Sequence, residues 1–223
     1  MENQILYEDN HLIIINKKCG DIVQGDKTGD KTLADKIKNY LKEKYNKPGN
    51  VFLGVVHRLD RPVSGAVIFA KTSKALSRLN NMFKENKIKK IYYAVCSKLP
   101  PNNEGELINH LYRNQKQNKS YVINTPNKDS KEAILRYKVL SASKSFYLLQ
   151  IELITGRHHQ IRAQLSNIGC PVKGDLKYNY PRSNPNGGIN LHAGVIEFIH
   201  PVSEETINIK ASFPEDAVWS YFT

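Results

Sequence analysis

The apolar residues of this chain fall mainly into short runs rich in β-branched residues, separated by turn formers, and few stretches repeat at helical spacing. Residues 12–15, 51–56, 66–70, 89–96, 121–123, 133–140, 146–154, 193–199 and 206–211 read as strands. Helical spacing joins Leu33, Ile37, Leu41 and Tyr45, with Thr32 as cap, Asp35 as its capping-box partner and Pro48-Gly49 as the stop. It recurs at Leu76, Leu79, Met82 and Phe83 behind a Ser73 cap. A third helix fits 158–167, with Ile161, Leu165 and Ile168 on its buried side and Gly169 closing it. Segments 20–31, 100–105 and 170–190 read as loops. No regular strand–helix–strand repeat appears. The pattern predicts an α+β fold, a mostly antiparallel mixed sheet flanked by helices and loops, rather than a doubly wound one.

At 223 residues the chain is long enough to bury a core without metal or disulfide staples. Its three cysteines, Cys19, Cys96 and Cys170, are far apart and odd in number, which argues for reduced thiols. No apolar run approaches a membrane span, and the N-terminus lacks a signal pattern, so a soluble, cytoplasmic protein is expected. Lys and Arg total 33 against 21 Asp and Glu, a formal charge of +12. That excess suits a polyanion such as RNA, although a lysine-rich composition alone would produce it too.

Chemistry concentrates in a few segments. His57-Arg58-Leu59-Asp60-Arg61-Pro62-Val63-Ser64-Gly65 sets a carboxylate between two arginines in a loop between apolar strands. Nearby cations hold a carboxylate ionised, so Asp60 is a candidate nucleophile; a surface network that pins a turn would look the same. Gly65 suits a turn or a close backbone approach. Thr155-Gly156-Arg157-His158-His159-Gln160-Ile161-Arg162 places His158 or His159 on one helix face with Arg162. Adjacent histidines do not share a helix face, so no metal is expected there. In Lys89-Lys90-Ile91-Tyr92-Tyr93 the tyrosines alternate, one toward the core and one toward a cleft or solvent.

Together these segments resemble the RluA-type pseudouridine synthases. His57-Arg58-Leu59-Asp60, Ser64-Gly65 and Ala70-Lys71 match that family's HRLD…TSG…AK signature. Lys90-Ile91-Tyr92-Tyr93-Ala94-Val95 matches its K-x-Y-x-A strand, and Gly156 to Arg162 with Ile168-Gly169 and Gly174-Asp175 matches its GR-x-HQIR…IG…GD block. Val63, where threonine is usual, and His158, often threonine or serine, depart from it. The resemblance implies one catalytic domain over 1–223 without an S4 RNA-binding module, and an active-site cleft across the sheet. It implies isomerisation of uridine to pseudouridine in structured ribosomal or transfer RNA, without metal or organic cofactor. With no heptad and no obvious exposed apolar stripe in the sequence, a monomer is expected. The resemblance assigns Asp60 as the catalytic carboxylate and Arg162 as its partner. Tyr92 would contact the target base, Ile161 would line the pocket, and Arg58 would enter the RNA stack as the uridine leaves. Lys71, Lys90, Arg157, His159 and Lys173 would bind RNA. Loops 112–131 and 173–190 carry Arg113, Lys116, Lys119, Lys177 and Arg182, which suit phosphate contacts or plain solvation equally. Two rivals remain: an RNA-binding protein that has lost catalysis, and a carboxylate hydrolase, which lacks a visible second carboxylate.

Overall fold

The computed structural model describes residues 1–25 and 29–222, so part of the 20–31 loop lies outside the described residues. In chain order the elements are β1 (Ile5–Glu8), β2 (Leu12–Lys17), α1 (Leu33–Lys44), β3 (Gly54–Val55), β4 (Ser64–Ala70) and α2 (Ser73–Lys84). There follow β5 (Lys89–Cys96), β6 (Glu104–Asn114), β7 (Lys119–Ile123), β8 (Ser130–Ala142), β9 (Tyr147–Leu153), α3 (Gln160–Asn167), β10 (Leu191–Ile199) and β11 (Thr206–Lys210). The pairing is mostly antiparallel and the class is α+β, as the pattern of runs predicts. The single domain expected over 1–223 gathers into two compact units, residues 1–88 with 193–212, and residues 89–192 with 213–223.

In the first unit β2 lies between β1 and β4, and Ile13 and Ile15 face the register partners Phe69 and Val67. The four residues Leu12 to Ile15 and the whole of β4 are buried on both faces, which is why these strands read as continuous apolar runs instead of alternating ones. Leu12, Ile14, Ala66 and Ile68 pack with Ala75 and Leu79 of α2 and with Ile196 and Phe198 of β10. Gly65 sits at φ +117°, and a side-chain carbon there would strike the backbone of Ala193, so the close approach rather than a turn explains it. Thr32 and Asp35 form the capping box on α1. The cap of α2 is Thr72, one residue before the expected Ser73; its hydroxyl accepts the Ala75 N–H.

In the second unit the strands run β5, β9, β8, β6, β7. β6 is a strand that the sequence pattern does not mark, and with β7 and β8 it takes up parts of the segment 112–131 expected as a loop. Its residues alternate between exposed and half-buried with only Leu111 buried, so it carries little apolar signal. Its ladders to β8 and β7 hold it as a strand. Helix α3 starts at Gln160, two residues later than expected, because His159 takes a left-handed conformation at φ 53°. The helix covers the sheet face at Leu111 and Ala133 through Ala163, with Tyr178 beside it. No helix of the described residues is long and apolar enough to cross a membrane.

Candidate active site

Asp60 lies in the first unit on the turn between β3 and β4, half-buried. The Val63 N–H donates to the Asp60 carbonyl at 3.0 Å and closes the turn at Arg61-Pro62. The anchor of this turn is Lys17, the last residue of β2, which is 0% exposed. Its ammonium donates to the carbonyls of Val63 at 2.6 Å, Lys18 at 3.0 Å and Arg61 at 3.2 Å, which uses all three of its hydrogens. The Gly20 N–H adds a bond to the Arg61 carbonyl at 2.9 Å. Burial holds the Lys17 pKa down to about 8, against the attraction of Asp21, Cys19 and Asp60. His57 accepts the Ile68 N–H at Nε2, 3.0 Å away, continuing the ladder where β3 ends after Val55.

The expectation that flanking arginines hold Asp60 needs correction. Arg61 instead sits 3.3 Å from Asp30, and Arg58 is exposed with no ion pair among the described residues. Adjacent residues of a turn project in different directions, and Arg61 serves the loop through its backbone. Lys17 is a cation of this unit whose charge interacts with Asp60. Sequence reasoning missed it, because one lysine after an apolar run looks the same whether it is buried or solvated.

Lys71 also departs from its expected role. Its ammonium meets Glu8 at 2.9 Å and the Asp9 carbonyl, lies over the Tyr45 ring, and leaves the side chain 6% exposed. It braces the fold instead of facing phosphate, because a carboxylate nearby offers a dry, paired site.

Tyr92, Ile161 and Arg162 belong to the second unit. Tyr92 is buried in β5 opposite Ile151, while the neighbouring Tyr93 packs edge-on against Phe213. Ile161 is buried as its spacing predicts. Arg162 is buried and donates from Nε and Nη2 to the two carboxylate oxygens of Asp175, at 2.7 and 2.9 Å. Its guanidinium also lies over the Tyr178 ring, 5.1 Å from the centroid. Asp175 closes the GD pair of the motif, where the chain alone suggests no role for it. The Tyr178 hydroxyl receives the Ser120 N–H, donates to the Ser120 carbonyl and meets Nδ1 of His159 at 3.0 Å.

Gln160 organises the chain before α3. Its Oε1 accepts the Arg157 N–H and the Thr155 hydroxyl, and its amide donates to the Ile134 carbonyl. Of the expected RNA-binding residues here, Arg157 is exposed and donates Nε to the Glu132 carbonyl. Lys173 is half-buried, with its ammonium on Asn184. His159 and Lys90, also expected to bind RNA, are buried; His159 stacks on His158 at 3.8 Å, and burial lowers the Lys90 pKa. Among the described residues no cluster of His, Cys, Asp or Glu is arranged to hold a metal ion.

Comparison with known proteins gives this geometry its context. The sequence model of the family described as RNA pseudouridylate synthase matches residues 11–167, a span that enters both units. An uncharacterised RNA pseudouridine synthase of Bacillus subtilis is 32% identical over 219 residues, 97% of this chain and 71% of that protein. The ribosomal large subunit pseudouridine synthase C of Buchnera aphidicola is 34% identical over 221 residues, 96% of this chain and 68% of that protein. The fold is shared with human RNA pseudouridylate synthase domain containing 4, with a TM-score of 0.82 at 23% identity over 99% of this chain and 92% of that one. With the family pattern matched across both units and relatives a third identical along nearly its whole length, this chain belongs to the RluA-type RNA pseudouridine synthases, enzymes of the isomerase class.

Proposed function

We infer that this protein isomerises specific uridines of structured RNA, ribosomal or transfer RNA, in the cytoplasm, with Asp60 as the catalytic carboxylate. The observation that carries this reading is the buried ammonium of Lys17, which fixes the Asp60 turn through the carbonyls of Arg61 and Val63 before any substrate arrives. A carboxylate on a pre-set turn loses little freedom when it meets a reacting sugar or base. Support for ribosomal RNA comes from relatives named for the large ribosomal subunit.

The chemistry balances within the substrate. The N1–C1′ bond breaks, the uracil turns, and a C5–C1′ bond forms; C5 gives up its proton and N1 gains one. Nothing is oxidised, reduced or hydrolysed, so the reaction asks for no cofactor. A uridine within a stem must first leave the stack, at a cost of a few kcal/mol. In this reading Arg58, exposed on the loop, fills the vacated stack. Tyr92 and Ile161 contact the base, Arg162 completes the surroundings of Asp60, and Arg157 and Lys173 meet phosphates.

Replacing Asp60 by Asn tests the assignment. Pseudouridine formed in unmodified large-subunit ribosomal RNA and in bulk transfer RNA is expected to fall at least about 1,000-fold, with RNA binding retained. Pseudouridine formation by Asp60→Asn at the rate of the parent protein would remove Asp60 from the chemistry.

A further inference from the structure

The second unit holds a cavity of about 890 Å³ lined by Arg113, Lys116, Lys131, Arg157, His158 and Asp129, among others. Its lining includes none of Asp60, Tyr92, Ile161 or Arg162. Strand register explains how it forms. Leu111 of β6 faces Lys131 of β8, and Arg113 of β6 faces Ser120 of β7, so Leu111, Arg113, Ser120 and Lys131 share one sheet face. Around Leu111 and Ala133 that face is apolar and packs on Ala163 and Tyr178. Beyond that contact it turns cationic and open.

The wall opposite is the segment before α3. His158 is held there by the Ser120 hydroxyl, 2.9 Å from Nδ1, and by the Asn118 amide oxygen, 3.1 Å from Nε2. Arg157 is anchored by Nε on the Glu132 carbonyl, and its remaining guanidinium N–H groups make no hydrogen bond with the described residues. Arg113, Lys116, Lys131 and Arg157 form no ion pair with any described residue, and the one carboxylate of the lining, Asp129, forms none either. Four unpaired cations against one carboxylate leave the concavity net positive, an arrangement that a bound anion relieves.

We propose that this cavity binds the phosphodiester backbone of the RNA substrate. The proposal rests on the RNA reading above and adds a second contact region to it. The volume lies near the top of the range of about 300–1,000 Å³ for ligand pockets, more than one phosphate ion fills. Tyr112 is the one aromatic side chain in the lining apart from His158, so recognition runs through phosphate and ribose and not through stacked bases. The contact therefore adds affinity and register without reading sequence.

The test compares two doubly substituted proteins, each lacking one arginine and one lysine. Arg113→Gln with Lys131→Gln removes two of the cavity's four cations. Arg136→Gln with Lys138→Gln removes the same charge from β8 residues that alternate to the opposite sheet face. Binding of a fluorescein-labelled RNA hairpin is followed across a salt series. The cavity variant is expected to bind about 10-fold more weakly and to flatten the slope of log affinity against log salt by about 1.4 to 1.8, from roughly 0.7 to 0.9 for each lost phosphate contact. The control is expected to stay within about twofold of the parent. Equal losses in both variants, or no loss in either, would each overturn the proposal. Pseudouridine formation by the parent protein is scored separately: a parent that forms none on any RNA defeats the catalytic reading, whereas an active parent with unequal slopes absent defeats only the cavity.

Discussion

Lys17 shows how one buried charge can govern a loop. An ammonium taken out of water costs several kcal/mol unless its hydrogens are all satisfied, and here each ends on a carbonyl. Burial still draws its pKa down to about 8. Because the folded value lies below that of the unfolded chain, the charge costs stability below about pH 8, and the cost is relieved as pH rises toward the ordinary lysine range. Function follows the opposite course. The neutral amine has two hydrogens for three carbonyls, so the Asp60 turn loosens as pH climbs through about 8. The single-turnover isomerisation rate is therefore expected to decline above that pH, and Lys17→Met is expected to be slower at pH 7 and to lack the decline. A variant that keeps the parent's alkaline limb would show that Lys17 does not set it. In the second unit the Arg162 guanidinium is likewise held in place, by a two-point pair with Asp175 and the ring of Tyr178.

Among the elements, β1, α1 and the end of β4 are tied together by a single carboxylate. Glu8 receives Tyr40 at 3.0 Å and Lys44 at 2.8 Å on one oxygen, and Tyr45 at 2.8 Å and Lys71 at 2.9 Å on the other. Burial alone would raise its pKa; the hydrogen bonds outweigh it and pull the group down to about 2. A lowered carboxylate stabilises the fold fully above its unfolded value, and that contribution is lost as pH falls through about 2. Glu8→Gln should lose about 2 kcal/mol at pH 7, less than the whole shift implies because solvent reaches Lys44. Urea unfolding at pH 7 and pH 3 checks this: the gap between the two proteins should narrow at the lower pH, and a constant gap would mean that shape, not charge, holds the joint. The elements themselves were well marked where local chemistry decides them. Thr32 and Asp35 announced α1, and the run of 89–96 with its two adjacent tyrosines announced β5 to the residue. β6 was not announced, since its half-polar faces are stabilised by neighbours that lie outside the window in which periodicity is read.

Over the whole molecule the charge of +12 sets the tempo of association. RNA affinity is expected to drop at least about 100-fold between 50 and 200 mM salt, measured by fluorescence anisotropy, because each phosphate contact releases counterions. An affinity indifferent to salt would contradict a phosphate-led encounter. The chain's path matters at this scale too, since β10 starts in the second unit and ends in the first, and residues 193–212 complete the unit that the N-terminal residues begin.

Strand and helix periodicity and turn chemistry act over a few neighbouring positions, so the class of fold, the family and the order of the motif residues are legible along the chain. Tertiary structure alone decided which side chains meet. Lys17 finds the Val63 carbonyl 46 positions away, Lys71 turns inward to Glu8 across 63, and Arg113 and Lys131 come to share one sheet face through register. Whether a lysine faces water, a carbonyl or an anion depends on what the rest of the chain brings beside it, and no local pattern carries that information.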